Sequence, residues 1–188
     1  MKNIIKTYLD KLYDVTERHD WQSTEYLSDV LFNSIEKRQQ VYLCGNGGSA
    51  GNAGHLANDF LYGIAPNGNS LNIEALSANS SVLTCLGNDM GYEHIFSHQL
   101  QVKANSGDVL IVLSGSGNSP NIIKALEIGN KLDMQTFAIL GFQGGKAKDV
   151  AQHVIHFEID DMQISEDLQL IVGHMLMKHL NHKLKNQP

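Results

Sequence analysis

Four side chains able to do acid–base or metal chemistry fall on two stretches with helical spacing. His55 and Asp59 are four residues apart, so a helix presents them on one face. Glu166 and His174 lie two turns apart near the C-terminus, roughly 80° from one another around the axis. Two imidazoles and two carboxylates suit zinc or a similar divalent ion, provided the two helices approach each other. Asp59 and His174 also suit general acid–base work. Taken singly, a histidine such as His55 is more often one satisfied within its helix. His174, inside an apolar stretch, reads equally well as a hydrogen-bonded core histidine.

Two loops supply the means of holding an anion. The run Val41–Leu43 ends in Gly45, Asn46, Gly47, Gly48 and Ser49, and a helix-capable stretch follows from Ala50. Glycines let the backbone approach a ligand, and a helix N-terminus offers unpaired N–H groups to it. The arrangement recurs after Asp108–Leu113 with Ser114, Gly115, Ser116, Gly117, Asn118, Ser119 and Pro120. Ser119 before Pro120 is an N-cap followed by the first helical position. Three hydroxyls and several N–H donors can then converge on one phosphate.

Asn88 and Asp89, between Gly87 and Gly91, are suited to sugar hydroxyls, or else form an Asx-type turn between two helices. His94 and His98 have metal spacing, but Glu93, Ser97 and Gln99 suggest a solvated helix face. His153, His156, His179 and His182 are read in the same way. A dinucleotide site is the competing use of Gly45-x-Gly47-x-x-Ala50. It needs an acidic residue closing the second strand, and that strand ends instead in Leu76-Ser-Ala-Asn79. It also leaves the second Gly/Ser loop without a role.

The elements that must position these residues follow from periodicity. Apolar residues predict helices over 3–18 and 22–37, serving as a helical cap or as packing for another subunit. Strands at 41–45, 72–76, 109–113, 135–140 and 153–158 then alternate with helices at 50–63, 80–86, 92–103, 119–131, 145–151 and 162–184. Such alternation specifies an α/β fold with a parallel sheet covered on both faces. Ligands in these folds bind beyond the carboxyl ends of the strands, where both loops emerge. The last helix is apolar nearly all round, from Leu168 to Leu180, which predicts burial on more than one side. Residues 183–188 read as a frayed tail.

Composition narrows the class. The 188 residues make one domain with a sizeable core, residues 1–38 being leading helices. A net charge of -6 gives no footprint for nucleic acid or anionic membrane. No apolar run is long enough to span a bilayer. Cys44 and Cys85, beside apolar residues, are expected to be reduced core thiols, and the location cytoplasmic.

Taken together, Gly45-Asn-Gly-Gly-Ser49, Val82-Leu-Thr-Cys-Leu-Gly-Asn-Asp89, Gly91-Tyr-Glu-His-Ile-Phe-Ser97, Gly107-Asp-Val-Leu110 and Ser114-Gly-Ser-Gly-Asn-Ser-Pro120 resemble the phosphoheptose isomerases of the sugar isomerase (SIS) domain family. The resemblance implies a flavodoxin-like five-stranded parallel sheet and a homotetramer with sites at subunit interfaces. It implies interconversion of sedoheptulose 7-phosphate and an aldoheptose 7-phosphate through an enediol. By position it makes Asn46, Gly47 and Gly48 the first substrate loop, Asn88 and Asp89 the second contact, and Ser114, Ser116 and Ser119 the phosphate serines; Ser49, Gly115 and Glu166 are expected to face substrate beside them. It makes His55 and His174 metal ligands, with His174 also the catalytic acid or base. Departures are Asp59 for the family's catalytic, metal-binding glutamate, Glu166 for its metal-ligand glutamine, Gly115 for the middle threonine of its Ser-Thr-Ser loop, and Gly63 for a common arginine. The expected activity is an aldose–ketose isomerase with a divalent ion, zinc by resemblance. A phosphosugar-binding module without catalysis is the alternative, because the binding loops are kept while two of the four polar residues are changed.

Overall fold

The computed structural model describes residues 1–186. Two helices lead the chain, α1 (Lys2–Arg18) and α2 (Gln22–Lys37). Then come β1 (Gln40–Gly45), α3 (Gly48–Asn58), β2 (Asn72–Ala75), α4 (Ser80–Asp89), α5 (Ser97–Lys103), β3 (Val109–Ser114), α6 (Pro120–Lys131), β4 (Gln135–Leu140), α7 (Ala147–Val150), β5 (His153–His156) and α8 (Met162–Lys185). The sheet has five strands in the order β2-β1-β3-β4-β5, and every pairing is parallel. This is the expected flavodoxin-like α/β fold.

The strands read as continuous apolar runs because both faces are covered. Alternate residues go to opposite layers. Val41, Leu43, Val109, Ile111 and Leu113 pack under α2, α3 and α8, against Leu31, Leu56, Leu168 and Val172. Tyr42, Cys44, Leu110 and Val112 face the other way, onto Phe96, Leu100, Ile122 and Leu126. Helix α1 buries none of its residues fully, although Tyr8, Leu12 and Val15 rest on the first layer.

Strand order reverses between β1 and β3, whose register places Gly45 beside Leu113. Both Gly/Ser loops therefore leave the sheet side by side at its switch point, where such folds bind ligands.

Several boundaries differ from expectation. The helix predicted over 50–63 begins at Gly48 and continues beyond Asn58 as a π-helical turn, Asp59–Gly63. Helix α4 runs on to Asp89, so Asn88 and Asp89 are its last residues and not a separate turn. The segment predicted as one helix over 92–103 opens with a 3₁₀ turn, Tyr92–His94, and resumes at Ser97, since Ile95 and Phe96 both turn into the core. The helix predicted over 145–151 is the single turn α7. Strand β5 ends at His156, and α8 extends to Lys185 through part of the expected frayed tail, of which residues 187–188 lie outside the described residues.

Candidate active site

Gly47 adopts φ 55° and ψ -122° to turn the chain from β1 into α3. A Cβ on Gly45 would stand 2.7 Å from the Ser49 backbone, so the turn closes only around glycine. Asn46 is held by a reciprocal amide pair with Asn121, at 2.9 and 2.8 Å, and accepts from the Tyr92 hydroxyl at 3.0 Å. The Ser49 hydroxyl, expected to face substrate, is buried and accepts from Gln169 Nε2 at 3.0 Å. Asn52 Nδ2 donates to Gln169 Oε1 and to the Glu166 carbonyl, both at 3.0 Å, tying α3 to α8. Asn52, Tyr92, Asn121 and Gln169 were missed by sequence reasoning. Gln169 had a usable signal, being an amide within the apolar stretch of α8, which must find partners when buried.

The second loop is equally ordered. Ser114 Oγ accepts from Gly117 N at 3.0 Å, and Ser116 Oγ from Asn118 N at 3.3 Å. Ser119 is the extended N-cap of α6, with Pro120 at the first turn and no side-chain capping bond, which leaves its hydroxyl to a ligand. Gly115 is crowded: a Cβ there would lie 2.6 Å from Met162 Sδ, so no threonine fits unless Met162 moves.

Helices α3 and α8 bring three of the four candidate ligands together. His55 Nε2 lies 2.9 Å from His174 Nε2, and each lies 3.4 Å from Asp59 Oδ2. Asp59 opens the π-helical turn, a feature frequent at functional sites because it re-aims side chains. A tetrahedral ion with ligand bonds of about 2.0–2.1 Å separates its donors by about 3.3 Å. The triangle on the two helices has that size, so the residues present fit a divalent ion and leave a position for substrate. The side chains of His55, His174 and Asp59 are 49%, 43% and 21% exposed, which makes the site reachable from solvent.

Glu166, expected in that set, is outside it. Among the described residues the group within ligand reach is His55, Asp59 and His174. Glu166 precedes His174 by two helical turns, about 12 Å of rise. Its carboxylate lies against Gly48, in the space a Cβ there would need. A negative group at the first turn of α3 is favoured by the helix dipole.

Asn88 and Asp89 are exposed at the end of α4. Asn88 Nδ2 donates to Asp89 Oδ1 at 2.7 Å, and Cys85 Sγ sits 3.6 Å from Asp89 Oδ2. Among the described residues no hydrogen bond joins either side chain to either loop. Cys85 is thus an exposed thiol, not a core one, and its hydrogen bond to Asp89 pushes its pKa up. Cys44 is buried, as expected, and burial pushes its thiol up too. The helix face carrying His94 and His98 is not fully solvated, since Ser97 and Gln99 are buried. Lys124 Nζ donates to His94 Nε2 at 3.0 Å beside a cleft lined by Asn46, Tyr92, Glu93 and Ser119.

The model of the SIS domain family matches residues 6–141. The chain belongs to the SIS domain family. It is 34% identical to the phosphoheptose isomerase of Akkermansia muciniphila over 160 residues, 85% of each chain. To that of Aneurinibacillus thermoaerophilus it is 34% identical over 181 residues, covering 94% of this chain and 91% of the relative. The structure of the phosphoheptose isomerase from Neisseria gonorrhoeae superposes with a TM-score of 0.87 at 24% identity, over 96% of this chain and 98% of that one. That likeness is one of fold.

Proposed function

We propose that the protein is an aldose–ketose isomerase of phosphorylated sugars, interconverting sedoheptulose 7-phosphate and a D-glycero-heptose 7-phosphate. The observation that carries this reading is the meeting of His55, Asp59 and His174, in a chain whose curated relatives over most of its length are phosphoheptose isomerases. The second loop, with Ser114, Ser116, Ser119 and the N-terminus of α6, takes the phosphate; the backbone of Asn46, Gly47 and Gly48 borders the sugar. His55 lies seven residues past Gly48, roughly 10 Å along the helix. A ligand reaching from the loops to these side chains needs several carbons between its phosphate and its reacting end, which favours a heptose over a triose.

His55, Asp59 and His174 would hold a divalent ion, zinc by their N/O donor set, and such an ion would supply Lewis-acid polarisation of the substrate oxygens. Asp59 takes the C1 proton of the ketose, and the C–H electron pair forms the C1=C2 bond of the enediol. His174 supplies a proton to the C2 oxygen. Return of the carbon proton to C2, with loss of the C1 hydroxyl proton, gives the aldose. We take residues 1–188 as one catalytic unit, assembled as a cytoplasmic homotetramer.

Sedoheptulose 7-phosphate incubated with the protein in D₂O should give deuterium at C1 of the ketose and at C2 of the aldose product by NMR. Asp59→Asn should abolish that exchange while the sugar phosphate still binds. Binding without exchange in the native protein would leave a phosphosugar-binding module instead.

A further inference from the structure

The segment joining β4 to α7 forms the back wall of the phosphate loop. Gly141 N donates to Gly115 O at 3.0 Å and Ala147 N to Gly117 O at 2.9 Å. Lys146 N donates to Asn118 Oδ1 at 3.1 Å. The Gly144 carbonyl occupies the space a Cβ on Gly117 would need. Where this wall stands, the loop must stand.

Phe142, within the wall, has φ 43°, in the left-handed region that bulky residues avoid. Its ring reaches the loop itself: a Cβ on Gly115 would lie 3.7 Å from Phe142 Cε2. Two hydrogen bonds keep it there. Phe142 N donates to Ile159 O at 3.0 Å, and its carbonyl accepts from His156 Nε2 at 3.0 Å. A carbonyl only accepts, so Nε2 carries the hydrogen. The Lys148 ammonium, 3.3 Å from Nδ1, only donates, so Nδ1 is bare. Both neighbours select the same neutral tautomer.

We propose that His156 is a positioning residue for the phosphate loop. Its Nε2–H fixes the Phe142 carbonyl and, through it, the register of residues 141–147 against Gly115–Asn118. This rests on the reading of Ser114–Ser119 as the phosphate site. His156 itself stands at the end of β5 and belongs to neither loop.

The test compares three variants by calorimetry and steady-state kinetics with sedoheptulose 7-phosphate. His156→Leu should raise Kd and KM about tenfold, the weight of one hydrogen bond, with little change in kcat. Zinc affinity should stay at the native value, since His55, Asp59 and His174 lie on other elements. His156→Gln, which keeps an N–H donor, should recover most of the loss. Equal losses in the Leu and Gln variants would mean simple packing and overturn the proposal. Ser119→Ala, run alongside, separates the two readings. Weakened binding there with native affinity in His156→Leu overturns the positioning role alone. Native affinity in both overturns the phosphate assignment as well. If His156→Leu does not fold, Lys148→Met releases the tautomer and should give a smaller rise in KM; an unchanged KM overturns the proposal.

Discussion

The three serines of the loop proposed to take the phosphate differ in their hydrogen bonds. Ser114 Oγ and Ser116 Oγ already accept backbone N–H groups, so each shapes the loop. Ser119 makes no side-chain capping bond. Ser119→Ala should therefore leave the melting temperature nearly unchanged while sugar-phosphate binding weakens by roughly 1.5–3 kcal/mol, the value of a hydrogen bond to a charged group. Ser114→Ala should weaken binding and lower the melting temperature together. Calorimetry and thermal melts on the pair check this, and matching stability losses would remove the distinction. Asp59 invites a second substitution. Its carboxylate already closes the triangle with His55 and His174, so Asp59→Glu, with one more methylene, should overshoot and bind zinc more weakly. Tighter binding would show that the shorter side chain is a defect. The i, i+4 spacing of His55 and Asp59 made their shared face legible in the sequence, and His174 joined them as expected. Glu166 was misplaced because composition says which residues suit an ion, while helix rise decides which reach it. The Ser49 hydroxyl was misread for a related reason: its partner, Gln169, is distant in sequence and invisible to local pattern.

At the scale of elements, apolar runs and glycine punctuation gave all five strands, because a doubly covered parallel sheet leaves little room for polar residues. Helix ends were less legible. The π-helical turn at Asp59–Gly63 obeys no sequence period, and the break at Ile95 and Phe96 arises from where those side chains pack. The junction between α1 and α2 shows tertiary packing overriding type. His19 stacks on Phe157 at 4.1 Å and meets Trp21 edge-on at 4.7 Å, and its Nε2 is buried with no hydrogen-bond partner among the described residues. Burial lowers its pKa below the usual 6.5. The unfolded chain then binds a proton at a higher pH than the folded one. This contribution to stability is complete above about pH 6.5 and falls as the pH drops toward the folded value. His153, packed on Phe137 and Tyr26, is shifted in the same direction by burial. His19→Phe keeps the ring stacking without the titration. Its urea midpoint should fall less than the native one between pH 7.5 and 5.5. Parallel decline of the two proteins would contradict the assignment.

At the scale of the whole molecule, the question is which apolar surface remains uncovered. The sequence pointed to α8, whose residues are apolar nearly all round. The fold absorbs most of that surface: Leu168, Val172, Leu176 and Leu180 are at most 3% exposed, against α2, α3 and the sheet. The uncovered stripe lies on α1. Ile5, Leu9 and Tyr13 are 51%, 57% and 62% exposed and recur at four-residue intervals along one side of the helix, and Ile4, 67% exposed, lies at the other edge of the face that packs on the core. Contiguous apolar surface of this kind marks an interaction face. Closed point-group assembly would cover it, and a D2 tetramer, the commonest such symmetry after the dimer, is the expected form. Light scattering should report about four times the chain mass of 20.7 kDa. Leu9→Glu combined with Tyr13→Glu should shift the protein to smaller species with an unchanged circular dichroism spectrum, because neither side chain supports the folded protomer. A monomer at micromolar concentration in the native protein would refute the assembly. A tetramer that survives the double substitution would move the interface elsewhere, to the exposed Leu61, Tyr62 and Met175 on the surface of α8 and the π-helical turn.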